Sequence, residues 1–277
     1  VQALVDGKAR WVDRDTARPP VSDLLQAVRG RSRPEFLDSR TALKGRQRRI
    51  RVDGHKALKA GEDEQEKVRA FMAGFAREQS RPRFFDVLDV ARRIAGTGSL
   101  GVERYIVLVR GKGSPDGNYL LDLKKALPSS LQGHVPTVQP AWPDEAHRIV
   151  AIQQRMQAAS MAFLHAVRLE DTPFVLRALL PSEDRVTLSQ VGRPVARLQQ
   201  LLVVMGQCLA WAQLRSSGRG GAATADELIA FGQQAKWQGH LIDLAHACAE
   251  EVQTDWACFA KACDDGVVPL SGGGSGA

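Results

Sequence analysis

The sequence predicts an α+β protein: a small antiparallel sheet built around a glycine-loop hairpin, followed by a helical C-terminal subdomain. Three observations predict it. First, the β-branched and aromatic runs Tyr105–Val109 and Tyr119–Lys124 follow directly on a Gly96-x-Gly98-x-x-Gly101 segment, with turn residues between them. Second, apolar residues recur at helical spacing over 62–80 and again from Val195 onward. Third, the coarse order is helix, three strands, helix, two strands, helices. That order segregates the helices from an antiparallel sheet. No internal repeat is visible.

In chain order, residues 1–60 form a basic, loop-rich N-terminal segment. Arg18-Pro19-Pro20 and Arg29–Pro34 read as loop, and 45–54 as a short strand bounded by turns. A helix over 62–80 has acids in its early turns and buries Val68, Phe71, Met72 and Phe75. Phe84–Ile94 permits helix or strand; the part nearest the glycines reads as strand. The segment 110–118 is turn-like, and the strand that follows ends at Lys124. A Pro-punctuated loop reaches Pro143. Asp144 then caps a helix to about Ala159, followed by strands at Phe163–Val167 and Phe174–Leu180. Helices at Val195–Arg215, Ala225–Trp237 and Leu241–Ala262 complete the chain. These elements predict an α+β unit over 61–185, a helical subdomain over 186–266 and a flexible tail over 267–277.

Composition narrows the function classes. The chain has 277 residues, is 44% hydrophobic and 25% charged, and can bury a sizeable core. No run approaches the roughly 18 apolar residues that suggest a membrane span. Net charge is +7, but residues 1–60 hold 15 Lys/Arg against 7 Asp/Glu, and the remainder is nearly balanced. Few aromatics are interleaved with the basic clusters, so a nucleic-acid interface is not expected. A solvated surface, or a face for the missing N-terminal part of the same protein, is. Cys208, Cys248, Cys258 and Cys263 form no C-x-x-C pair and read as buried free thiols of a cytoplasmic protein.

The glycine segment admits two readings. In a dinucleotide-binding fold the third glycine opens a helix. Here it opens a strand, so the glycines sit at a hairpin turn. Strand, glycine loop, strand, turn and strand ending in Lys is the order of a kinase-like small lobe. Glycines let backbone N–H groups approach phosphates, and a Lys on the third strand reaches the same phosphates as a point charge. Alternatively the glycines serve turn geometry alone.

Several stretches together resemble the bacterial DUF2252 family of uncharacterised proteins. They are Asp89–Gly101, Leu121–Lys124, Arg155–Ser160, Phe174–Arg177 and Trp211–Arg219, in the same order and at similar spacing. That family is distantly similar to kinase-like phosphotransferases of the aminoglycoside-phosphotransferase type. Its members carry Gly-Asp-x-His…Asn and an Asp-rich stretch upstream of the glycine loop. Neither occurs here, so the resemblance implies the C-terminal part of such a protein. Gln213 stands where relatives tend to have His, so no role is carried over to it.

With the kinase-like order, the resemblance implies nucleotide binding by Gly96, Thr97, Gly98, Ser99, Gly101 and Lys124. Glu145 is the candidate partner of Lys124, with Lys125 on the opposite face as a control. Arg177, in an apolar strand, and Arg215, at a helix end, are candidate anion contacts. ATP with Mg is the implied cofactor, and phosphotransfer the implied reaction of a longer chain. No catalytic residue is assigned, and the scattered histidines make no metal site. The expectation is a nucleotide-binding domain without activity on its own. The alternative is a non-catalytic binding or scaffold domain.

Overall fold

The computed structural model describes residues 1–96, 100–181, 186 and 194–268. Among them are eight α-helices and eight strands. The N-terminal third contains α1 (Gln2–Val5), α2 (Val21–Gly30), α3 (Arg33–Arg40), β1 (Thr41–Lys44), β2 (Gln47–Ile50) and β3 (Ala57–Lys59). The middle contains α4 (Glu62–Arg77), β4 (Val87–Arg93), β5 (Arg104–Val109), β6 (Tyr119–Lys125), α5 (Glu145–Met156), β7 (His165–Leu169) and β8 (Thr172–Ala178). Helices α6 (Val195–Ser216), α7 (Ala225–Gln233) and α8 (Lys236–Asp264) follow.

Six strands form one antiparallel sheet in the order β3-β4-β5-β6-β8-β7, and β1 and β2 form a separate hairpin. Strand alternation assigns the residues of β6 to two faces. Leu121 and Leu123 point into the main core with Val107, Val109, Tyr105 and Leu176, beneath Val68 and Met72 of α4. The acids Glu62, Asp63 and Glu64 occupy the first turn of that helix, where the macrodipole favours them. The opposite face has two covers. Leu37 of α3 and Ile50 of β2 pack on Ile106, Leu108 and Leu120. Ala146 and Val150 of α5 pack with Ala126 and Val175. Along β6, Asp122 and Lys124 therefore lie between the two covers.

One reading of the N-terminal segment is corrected. Residues 29–34 are not simply loop. Ser32 caps α3 by accepting the Glu35 N–H while the Glu35 carboxylate accepts the Ser32 N–H, and Pro34 sits in the first turn. The short strand expected over 45–54 is present as β2, bounded by turns, and it pairs with β1 to form the hairpin. Arg48, buried in that hairpin, donates to Asp38, Asp116 and the Pro115 carbonyl. It thereby staples the hairpin to the turn between β5 and β6. The cysteines also differ from expectation. Cys208, Cys248 and Cys258 are exposed and Cys263 is half-buried, because α8 has no buried residue and α6 buries only Leu201, Ala210 and Leu214.

Candidate functional site

The site begins with an aspartate in an apolar strand. Asp122 lies directly opposite Arg177 across β6 and β8, and opposite Ile106 across β6 and β5. Arg104 is two residues from Ile106 on the same face, and Arg93 ends β4 beside it. Pairing of four strands thus brings three guanidiniums onto one carboxylate.

The geometry is tight. Arg104 donates from Nε to Asp122 Oδ1 and from Nη2 to Oδ2, both at 2.7 Å. Its Nη1 donates to the Ala95 carbonyl at 3.2 Å. Arg93 Nη1 lies 2.9 Å from Oδ1, and Arg177 Nε donates to Oδ2 at 3.1 Å. Asp122 is only 1% exposed. Burial pushes its carboxyl up, but the Arg104 hydrogen bonds and the charges of Arg93, Arg104 and Arg177 outweigh this and hold it down at about 2. The cations feel the reverse. Burial lowers the Arg93 pKa; Asp122 opposes this, and Arg104 and Arg177 add to it. Burial and then the Arg104 charge lower Lys124, against the pull of Asp122. Three guanidiniums against one carboxylate leave an excess of two positive charges in a half-buried place.

A cavity of about 420 Å³ lies over this cluster. Arg93, Arg104 and Arg177 form part of its lining, and Gly96 lies at its border. Arg51, Asp53 and Lys56, from the turn between β2 and β3, form another wall. Asp53 Oδ1 accepts the N–H groups of His55, Lys56 and Ala57, which fixes that turn and lowers the carboxyl to about 2. Ile94, Ile106 and Leu179 supply apolar surface. A larger cavity, about 950 Å³, lies between residues 10–18 and α6. Its charged walls, Arg10, Asp13 and Arg18, are exposed, so no desolvated charge converges there. Chemistry rather than size favours the smaller cavity.

The expected site residues are distributed as follows. Strands β4 and β5 are consecutive and antiparallel, with the glycine segment between them. Gly96 has φ +76° and Gly101 has φ +78°, the left-handed region that favours glycine. Thr97, Gly98 and Ser99 lie outside the described residues. Gly101 borders a different, shallow pocket with Glu64, Glu103 and Lys125. Lys124 shares the face of Asp122, as alternation requires. Glu145 ion-pairs with Arg148 on its own helix. Arg215 donates to the Met156 and Arg10 carbonyls, tying α6 to the end of α5 and to the N-terminal segment, away from the cavity. Sequence reasoning missed Asp122, Arg93, Arg104, Arg51 and Lys56. The available signal was a pair of opposite charges, Asp122 and Arg177, each inside an apolar strand.

The donor set suits an anion better than a metal. Both Asp122 oxygens are engaged by guanidiniums, and Asp53 is committed to its turn. Mg²⁺ is held through carboxylates with free oxygens, so the cavity does not fit a resident Mg²⁺. Among the described residues no group of three or more His, Cys, Asp and Glu is placed to hold a metal ion. None of their helices is long and apolar enough to cross a membrane.

Fold and site define a mixed α+β protein with a basic pocket anchored on one buried carboxylate. The chain belongs to the family described as an uncharacterized protein conserved in bacteria (DUF2252), whose model matches residues 6–262. No curated protein and no solved structure matches it.

Proposed function

We propose that the chain binds a phosphate-bearing small molecule, a nucleotide in the first instance, in the cavity at the glycine end of the β4–β5 hairpin. One observation carries this reading: Arg93, Arg104 and Arg177 converge on Asp122 and leave uncompensated positive charge against a cavity. Guanidinium forks match phosphate geometry, and charge-assisted hydrogen bonds of this kind are the strong ones. Burial, and after it the neighbouring guanidinium charges, lowers the Arg93 pKa, and a bound anion would offset the repulsion among the guanidiniums. The element order supports the nucleotide form of the reading. A hairpin with glycines, a third strand bearing Lys124, a helix and two further strands is the order of a kinase-like small lobe.

A second reading is a binding or scaffold domain in which the ion cluster only pins the sheet. The bidentate Arg104–Asp122 pair favours it, since those contacts need no ligand. Thermal unfolding with ADP, with ATP, and with ATP plus Mg²⁺ separates the two, at constant ionic strength. A ligand at a hundredfold its Kd stabilises by about 2.7 kcal/mol, which raises Tm by several degrees. Arg177→Gln should reduce that rise at the same nucleotide concentration. An unshifted Tm in wild type at millimolar nucleotide would leave the scaffold reading.

A further inference from the structure

We infer that the ligand of this cavity carries a diphosphate, held between the arginine floor and the turn that joins β2 to β3. This rests on the phosphate reading above and deepens it. The argument begins with charge. The floor carries an excess of two positive charges. The facing wall adds Arg40, Arg51 and Lys56 against Asp53, a further basic excess. A single phosphate ester carries about −1.5 to −2 at neutral pH, and a diphosphate carries more. The larger anion matches the whole wall, the smaller only the floor.

Donor geometry points the same way. Arg104 is the most committed of the three: Asp122 and the Ala95 carbonyl engage each of its nitrogens. Arg93 and Arg177 each place one nitrogen on Asp122 in the contacts described. The rest of each guanidinium remains for a ligand at the floor. On the facing wall Arg51 donates Nε to the Thr41 carbonyl, which anchors the side chain and leaves both Nη groups. Lys56 sits in a turn whose amides are gathered on Asp53. The two walls come from separate layers, the sheet and the N-terminal segment, so one phosphate on each would bridge them. The cavity lies within the roughly 300–1,000 Å³ typical of small-molecule sites, which leaves space beyond two phosphates. Ile94, Ile106 and Leu179 would meet an apolar body attached to them.

The test is calorimetric titration of the full 277-residue chain with inorganic phosphate, pyrophosphate and ADP, at one ionic strength. Pyrophosphate should bind at least about tenfold more tightly than phosphate, one charge-assisted contact being worth that much. The exposed pair Arg51→Ala/Lys56→Ala should remove that advantage and leave phosphate affinity within about twofold. Arg177→Gln should weaken both anions. ADP tighter than pyrophosphate identifies a nucleoside diphosphate as the source, and equal affinity identifies the inorganic diphosphate. Equal affinities for phosphate and pyrophosphate, or a double variant with wild-type pyrophosphate affinity, would overturn the diphosphate while leaving the phosphate reading intact. Failure of all three anions to bind would overturn both.

Discussion

Asp122 organises the site by remaining ionised under cover. Its folded pKa, about 2, lies below the ordinary 3.8. A depressed carboxylate contributes stability that is present above the unfolded value and is lost as pH falls through the folded one. The window here runs from about pH 4 to about pH 2, and the contribution is on the order of 2 kcal/mol. Denaturant midpoints across that window should fall in the wild type more steeply than in Asp122→Asn. At pH 7 the same substitution should cost about 3–5 kcal/mol, because it leaves three guanidiniums without their counter-ion. Equal slopes and equal midpoints for the two proteins would remove the cluster from any role in stability. Lys124 makes a second comparison. It shares the Asp122 face, whereas Lys125 borders the pocket of Gly101 and Glu103. Lys124→Ala should weaken nucleotide binding about ten- to a hundredfold, and Lys125→Ala should change it little. Equal affinities would make Lys124 an ordinary lysine of the sheet.

The strands carry the site because each contributes one charge at a matching register position. Val107 and Leu121 are wholly buried at the centre of that sheet. Leu121→Ala should cost about 2–5 kcal/mol, against less than 1 kcal/mol for Leu43→Ala on the exposed face of β1. Glycines of the turns divide in the same way. A Cβ at Gly111 would come 2.2 Å from the Gly117 carbonyl and 2.6 Å from the Tyr119 ring, whereas at Gly101 it would meet open space. Gly101→Ala should therefore cost only left-handed strain, about 1–2 kcal/mol, and Gly111→Ala clearly more. Urea unfolding of both variants measures the difference. Part of this arrangement is legible in the sequence. The β4–β5 pairing, the face assignment along β6 and the helix at 62–77 follow from short-range patterns: strand-forming runs, alternation and helical spacing. The arginine cluster does not. It joins residues 93, 104, 122 and 177, and their meeting depends on the register of four strands, which no local pattern encodes. The N-terminal helices were obscured by Pro and Gly near their ends; at α3 the Ser32–Glu35 capping box was a local signal that outweighs Pro34.

For the whole molecule, the distribution of charge matters more than its total. Residues 1–60 hold the basic excess, and part of it, Arg51 and Lys56, borders the same cavity as the sheet arginines. A basic segment that reads in sequence as solvated surface thus becomes one wall of a site, because β3 joins the main sheet and draws the preceding turn over it. Anion affinity should fall as ionic strength rises, since the wall residues are exposed and screened within a Debye length of about 10 Å at 0.1 M salt. Titrations at 0.05 and 0.5 M salt should show weaker binding at the higher value; the same Kd at both would argue against an electrostatic site. The most direct test of the account is calorimetry of ADP with the wild type and with Arg93→Gln/Arg177→Gln. Arg104 remains bidentate on Asp122 in that variant, so the carboxylate stays paired. The account predicts one site per wild-type chain and at least about tenfold weaker binding in the variant. Wild-type affinity in a folded double variant would contradict it.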